Sequence, residues 1–124
     1  MKKIGEGLIS LNRTAEGELR VITSIQDVLT LLKELKAQPA GNPGRKIVLV
    51  EDAGTTTLAP VLSRLGGVVC TSGALGSHLA IVTREFEIPA LMGTQLQYKG
   101  NLNNRKVRIQ PRAGTTGDLY LLDE

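Results

Sequence analysis

Two short runs, "KIVLVE" (Lys46–Glu51) and the "VVC" within Gly67–Thr71, carry apolar residues without a polar alternation. A strand with one wet face alternates; an uninterrupted apolar run reads as a strand buried on both faces. Such a strand needs a layer of structure on each side, and helical patterns lie at hand to supply one. Ser24 opens the first: Ile25, Val28, Leu29, Leu32 and Leu35 recur at the helical period, with Asp27 three residues after Ser24 as an acidic capping partner. This helix is expected to end near Gln38, ahead of the loop "PAGNPG". "DAGTTT" reads as a polar loop, and Leu58–Leu65 as a short helix with Pro60 in its first turn. A further helix runs from His78 to about Phe86 and stops ahead of Pro89.

These alternations predict an α/β fold with a βαβαβ core, a mixed central sheet and short flanking helices. At the N-terminal end, "GLISLN" (Gly7–Asn12) and "GELRVI" (Gly17–Ile22), joined by "RTAEG", read as a hairpin. Further on, "ALM" is a candidate strand, and "KVRIQ" (Lys106–Gln110) and "DLYLL" (Asp118–Leu122) form a terminal strand pair. Aromatic residues make up only 2% of the chain, so aliphatic side chains must build the core. The net charge of +3 is dispersed, and the basic clusters and stacking aromatics of a nucleic-acid interface are missing. Cys70 is alone, which excludes an internal disulfide and fits a reducing compartment; on a buried strand it reads as a small core residue. "MKKIGEGLIS" lacks the apolar stretch of a signal peptide, and no segment approaches the roughly 20 apolar residues that span a bilayer. A cytoplasmic protein without membrane or nucleic-acid partners is expected.

The segment with chemical content is "TSGALGSHLAIVTREFEIPALMG", Thr71–Gly93, which holds the only histidine, His78. It combines the end of a buried strand, the small-residue loop "SGALGS" and a helix start. Ligands bind at such junctions, beyond the carboxyl ends of strands. Gly73 and Gly76 permit close backbone approach, successive N–H groups form an anion-binding hollow, and the helix N-terminus adds unpaired donors. A phosphoryl group on His78 would place its negative charge where this backbone favours it, by about 0.3–1 kcal/mol, whereas a second positive charge is disfavoured there. Read from the loop alone, His78 is equally an ordinary helix-start residue, with Ser77 as its N-cap. His78 and Cys70 are too few for a metal site, and "GTTT" and "GTTG" lack the Gly-Lys-Ser/Thr ending of a P-loop.

"GALGSHLAIVTREFEIPALMG" resembles the phosphohistidine, or swivelling, mobile domain of the PEP-utilising enzymes. That family includes pyruvate phosphate dikinase, PEP synthase and the first enzyme of the sugar phosphotransferase system. Gly73 and Ala74 match the family's glycine pair, His78 its phosphorylated histidine, Ala80–Arg84 its helix, and Ile88, Pro89, Ala90 and Gly93 the strand that follows. "GEGLISLNRTAEGELRVI", "KIVLVEDAGTTTLAPVLSRLGGVVCTSG" and "LNNRKVRIQPRAGTTGDLYLL" extend the similarity over most of the chain. The resemblance implies one mobile domain over residues 1–124 with a swivelling β/β/α fold, and His78 as a nucleophile accepting phosphate from PEP or ATP for delivery to an acceptor. Thr71, Ser72, Gly73, Ala74, Gly76 and Ser77 would then bind the phosphoryl oxygens. Arg84 is matched by motif only; six residues into the helix it is expected to point away from His78.

The same resemblance implies a component of a phosphotransferase or kinase whose ATP-grasp and PEP-binding barrel subunits lie on separate chains. Those subunits would hold Mg with ATP or PEP, leaving no cofactor or metal in this domain. Two residues depart from the family pattern. Gly76 stands where Thr, Ser or Asn is usual, and Leu79 where a small residue follows the histidine. Both leave open a phosphate-inactive swivelling domain with a regulatory or interaction role. A fragment of a longer enzyme is the third reading, against which the "MKK" start argues mildly.

Overall fold

The computed structural model of the chain describes residues 1–37, 46–51, 58 and 60–122. In chain order they form β1 (Lys2–Ile9), β2 (Ala15–Val21), α1 (Ile25–Ala37), β3 (Lys46–Val50), a 3-10 turn (Leu62–Arg64), β4 (Gly67–Cys70), α2 (His78–Glu85), β5 (Ala90–Leu96), β6 (Lys106–Pro111) and β7 (Thr116–Leu121). The seven strands close into a barrel in the order β1-β5-β4-β3-β2-β6-β7. β2, β3, β4 and β5 run parallel, linked by α1, the 3-10 turn and α2; the other pairings are antiparallel. The sheet is mixed, as predicted, and the terminal pair β6–β7 is present.

Two apolar layers explain the unbroken runs. One fills the barrel: Ile4, Leu19, Ile47, Val69, Leu91, Val107, Ile109, Leu119 and Leu121 are all completely buried there. The other lies between barrel wall and helices, where Val48, Val68 and Cys70 meet Val28, Leu31, Leu62, Leu79 and Ala80. Neighbours on β3 and β4 thus point into opposite layers, and both layers are dry. Cys70 is a buried core residue, as expected.

Three expectations need correction. β1 and β2 are not a hairpin: β1 pairs with β5 and β7, and β2 with β3 and β6. A short link between two apolar runs marks strands but not partners, and here each strand satisfies its backbone elsewhere in the closed barrel. α1 buries Val28, Leu31 and Leu35, while Ile25 and Leu29 stay 57% and 44% exposed, so its inward stripe is rotated from the one expected. The Leu58–Leu65 helix contracts to the 3-10 turn Leu62–Arg64. Gln38, "PAGNPG" and "DAGTTT" lie outside the described residues.

The capping role of Asp27 holds in a shifted form. Its carboxylate accepts from the backbone N–H of Thr23 at 2.9 Å and from the Thr23 hydroxyl at 3.0 Å, one residue before the expected partner, while Ser24 itself adds weaker backbone and hydroxyl bonds to the same carboxylate. The Thr23 backbone bond, followed by the Thr23 hydroxyl bond, holds this carboxyl below its ordinary range.

Candidate functional site

The loop between β4 and α2 sits at the carboxyl ends of the parallel strands. Thr71 N–H continues the β4 ladder onto Val50 O at 3.0 Å. Ser72 is tied on both sides: its hydroxyl donates to Glu51 O, and its carbonyl accepts from Gly93 N–H at 2.9 Å. Gly73 then turns the chain with φ +78°, a left-handed conformation that disfavours a side chain. Gly93, with φ +56°, lies so close that an added Cβ would come within 3.1 Å of Gly73 O. The loop that leaves β4 is thereby seated on β5 as well as on the end of β3.

Residues 74–77 form a β-turn. Ser77 N–H donates to Ala74 O at 3.0 Å, and the Ser77 hydroxyl accepts from Ala74 N–H at 2.8 Å. Ser77 occupies the N-cap position of α2, as expected, yet its side chain closes the turn instead of capping the helix. The helix ladder starts with Ile81 N–H to Ser77 O at 3.1 Å. The first N–H groups of α2 therefore precede any intrahelical bond and face its end with no side-chain cap.

His78 is the first residue of α2 and is exposed. Ser72, Gly73, Ala74 and Gly76 beside it are exposed too, while Thr71 and Ser77 are half-buried. Leu79 turns the other way and is completely buried in the layer beneath the helices. Gly76 has open space where a Cβ would stand, so its missing side chain is not imposed by crowding. Arg84 departs from expectation: it is exposed, yet its guanidinium folds back along the helix, and Nη2 donates to Leu75 O at 3.3 Å. Helical spacing alone left out the reach of this long side chain. The sequence matched Gly93 only to the family's strand after the helix and marked Glu51 not at all, yet their backbone groups anchor the loop; a glycine inside a strand is the signal that Gly93 carried.

The arrangement offers an exposed imidazole beside backbone donors. A cleft of about 320 Å³ lined by Arg13, Glu16, Glu87 and Pro89 lies away from it, at the opposite, amino ends of β2, β4 and β5. Among the described residues no three of His, Cys, Asp and Glu gather as metal ligands. No helix among them is long and apolar enough to cross a membrane.

Residues 43–114 match the family model described as "PEP-utilising enzyme, mobile domain". The chain is 34% identical over 108 residues to chondramide synthase cmdD of Chondromyces crocatus, covering 87% of this chain and 2% of that protein. It is 38% identical over 82 residues to a phosphoenolpyruvate-dependent phosphotransferase system protein of Escherichia coli, covering 65% of this chain and 11% of the relative. Phosphoenolpyruvate synthase of Deinococcus radiodurans is 28% identical over 116 residues, covering 94% of this chain and 14% of the enzyme. The chain spans only a small part of the length of each.

Proposed function

Because the chain belongs to the mobile-domain family of PEP-utilising enzymes, we propose that it is a phosphoryl carrier that loads and unloads at His78. The observation that carries this reading is the placement of an exposed histidine at the first position of α2, beside a turn held on two strands. A nitrogen lone pair of the ring attacks the phosphorus of the donor. The N–P bond forms as the bond from phosphorus to the donor's oxygen breaks, and that oxygen leaves with the bonding pair. The transferred oxygens then meet the N–H groups of the turn and the first turn of α2, where fixed dipoles need no rearrangement to receive charge.

The assigned roles differ by residue. His78 is the nucleophile. Gly73, Gly76 and the start of α2 supply backbone approach to the phosphoryl group. Thr71, Ser72, Ala74 and Ser77 hold the loop in shape, since the Ser72 and Ser77 hydroxyls and Ala74 N–H are engaged within it. Donor and acceptor sites belong to other subunits or domains, of the ATP-grasp or PEP-barrel kind, which would hold the Mg; this domain binds no cofactor of its own. Ile81, one turn after His78 and 44% exposed, gives α2 an apolar contact beside the ring for such a partner to cover. The same reading makes the domain a swivelling unit of the cytoplasm.

The test is incubation with labelled phosphoenolpyruvate or ATP plus extract of the source organism. Acid-labile, base-stable label that disappears in His78→Ala is the expected result. No label with either donor would favour the second reading, a regulatory or interaction module, to which the missing hydroxyl at Gly76 points.

A further inference from the structure

We propose that Arg84 is a positioning residue that locks the peptide between Leu75 and Gly76 in one of its two available orientations. This rests on the carrier reading for its consequence but not for its structural content. The Ala74–Ser77 turn is closed by an i to i+3 bond, and neither central residue, Leu75 or Gly76, has a positive φ. Among the common turns closed this way, that combination is type I. Its type II counterpart keeps the same ends and rotates the central peptide by about half a turn, which requires φ > 0 at the third residue. The third residue here is Gly76, for which that conformation costs almost nothing. Nothing stands within 4 Å of a Cβ placed on it, so an alanine at this position fits the turn as it stands.

Among the described residues, the contact that chooses between the two turns is the bond from Arg84 Nη2 to Leu75 O, at 3.3 Å. A trans peptide is planar, with its C=O and N–H on opposite sides. Holding the Leu75 oxygen therefore fixes the direction of Gly76 N–H, which donates to no other described residue. A flipped peptide would exchange donor and acceptor, turning a carbonyl oxygen toward the side now served by an N–H. Two residues before an imidazole that takes up a phosphoryl dianion, that exchange replaces attraction with repulsion.

The test combines Arg84→Met, Arg84→Lys and the double variant Arg84→Met/Gly76→Ala. Alanine at 76 disfavours the positive φ of the flipped turn by about tenfold, through backbone chirality alone. In the unphosphorylated protein, Arg84→Met is expected to bring microsecond-to-millisecond exchange broadening to the amides of residues 75–77. Adding Gly76→Ala should remove that broadening, and Arg84→Lys should give an intermediate result. Phosphoramidate serves as a partner-free donor: the ring nitrogen bonds to its phosphorus, its P–N bond breaks and ammonia leaves with the bonding pair. The phosphohistidine of Arg84→Met should hydrolyse about threefold faster than that of the parent.

Broadening absent from Arg84→Met, or surviving in the double variant, overturns the proposal. Hydrolysis of the Arg84→Met phosphohistidine at the parent rate also overturns it. If phosphoramidate labels nothing, the carrier reading fails while the exchange measurements still decide the role of Arg84.

Discussion

Leu79 stands where the resemblance leads one to expect a small residue, and its position next to His78 invites the idea that it restricts access to the ring. The structure gives it a different role, for it is completely buried and packed in the layer that joins α2 to the barrel. Truncating a fully buried leucine to alanine costs about 2–5 kcal/mol, the spread reflecting how far the site can collapse. Leu79 lies on an eight-residue helix held by few other buried side chains, Ala80 and Thr83. With partial relaxation of so short an element, a loss of about 3 kcal/mol is expected. Unfolding entropy near 2.1 cal/mol/K per residue, applied to 124 residues, converts this to a fall in Tm of about 11 °C. Calorimetry or thermal circular dichroism on Leu79→Ala measures it, with urea titration checking that the m-value is unchanged. Phosphorylation of His78, measured well below the lowered Tm, should not accelerate. A Tm within about 3 °C of the parent together with faster labelling would refute the reasoning and make Leu79 a gate.

Gly93→Ala forces a side chain into φ +56° against Gly73 O and should cost about 1–2 kcal/mol, read as reduced urea stability and faster amide exchange at Gly93. Gly76→Thr restores the family's hydroxyl where space is open; stability should stay within about 0.5 kcal/mol of the parent by urea titration, and phosphohistidine lifetime should lengthen. Asp27 is held below its ordinary pKa by the Thr23 bonds, so its contribution is complete above the unfolded carboxylate pKa and is lost as pH falls through the folded one. Asp27→Asn should therefore lower Tm at neutral pH by only about 2 °C, because the group is only half-buried and screened by solvent, and the difference should vanish in acid.

The parts of the fold legible in the sequence were those encoded locally. "KIVLV" and "GVVC" announce strands with two dry faces because one row of side chains fills the barrel while the other meets the helices. The start of α2 at His78 is marked by the Gly/Ser loop before it and by Pro89 beyond its end. The terminal β6–β7 pair was legible, but the partners of β1 and β2 were not, since alternation in "GLISLN" or "GELRVI" is the same whether a strand pairs with its neighbour or with a distant one. Closure of the barrel follows from the β1–β7 and β1–β5 pairings across the whole chain, which no local pattern carries. At the site, His78 and the glycines were visible as residue types. The bond from Arg84 to Leu75 O and the anchoring of Ser72 by Glu51 and Gly93 depend on side-chain reach and chain proximity in space.

Phosphoryl carriage turns on the chemistry of one ring. Isolation of the protein from its own cells under alkaline conditions, followed by peptide mass spectrometry that preserves N–P bonds, locates any phosphate within residues 71–93. The expected result is a single phosphoryl unit on His78, lost on brief acid treatment. An acid-stable phosphate on Thr71, Ser72 or Ser77, with His78 unmodified under conditions that label a known phosphohistidine carrier, would contradict it.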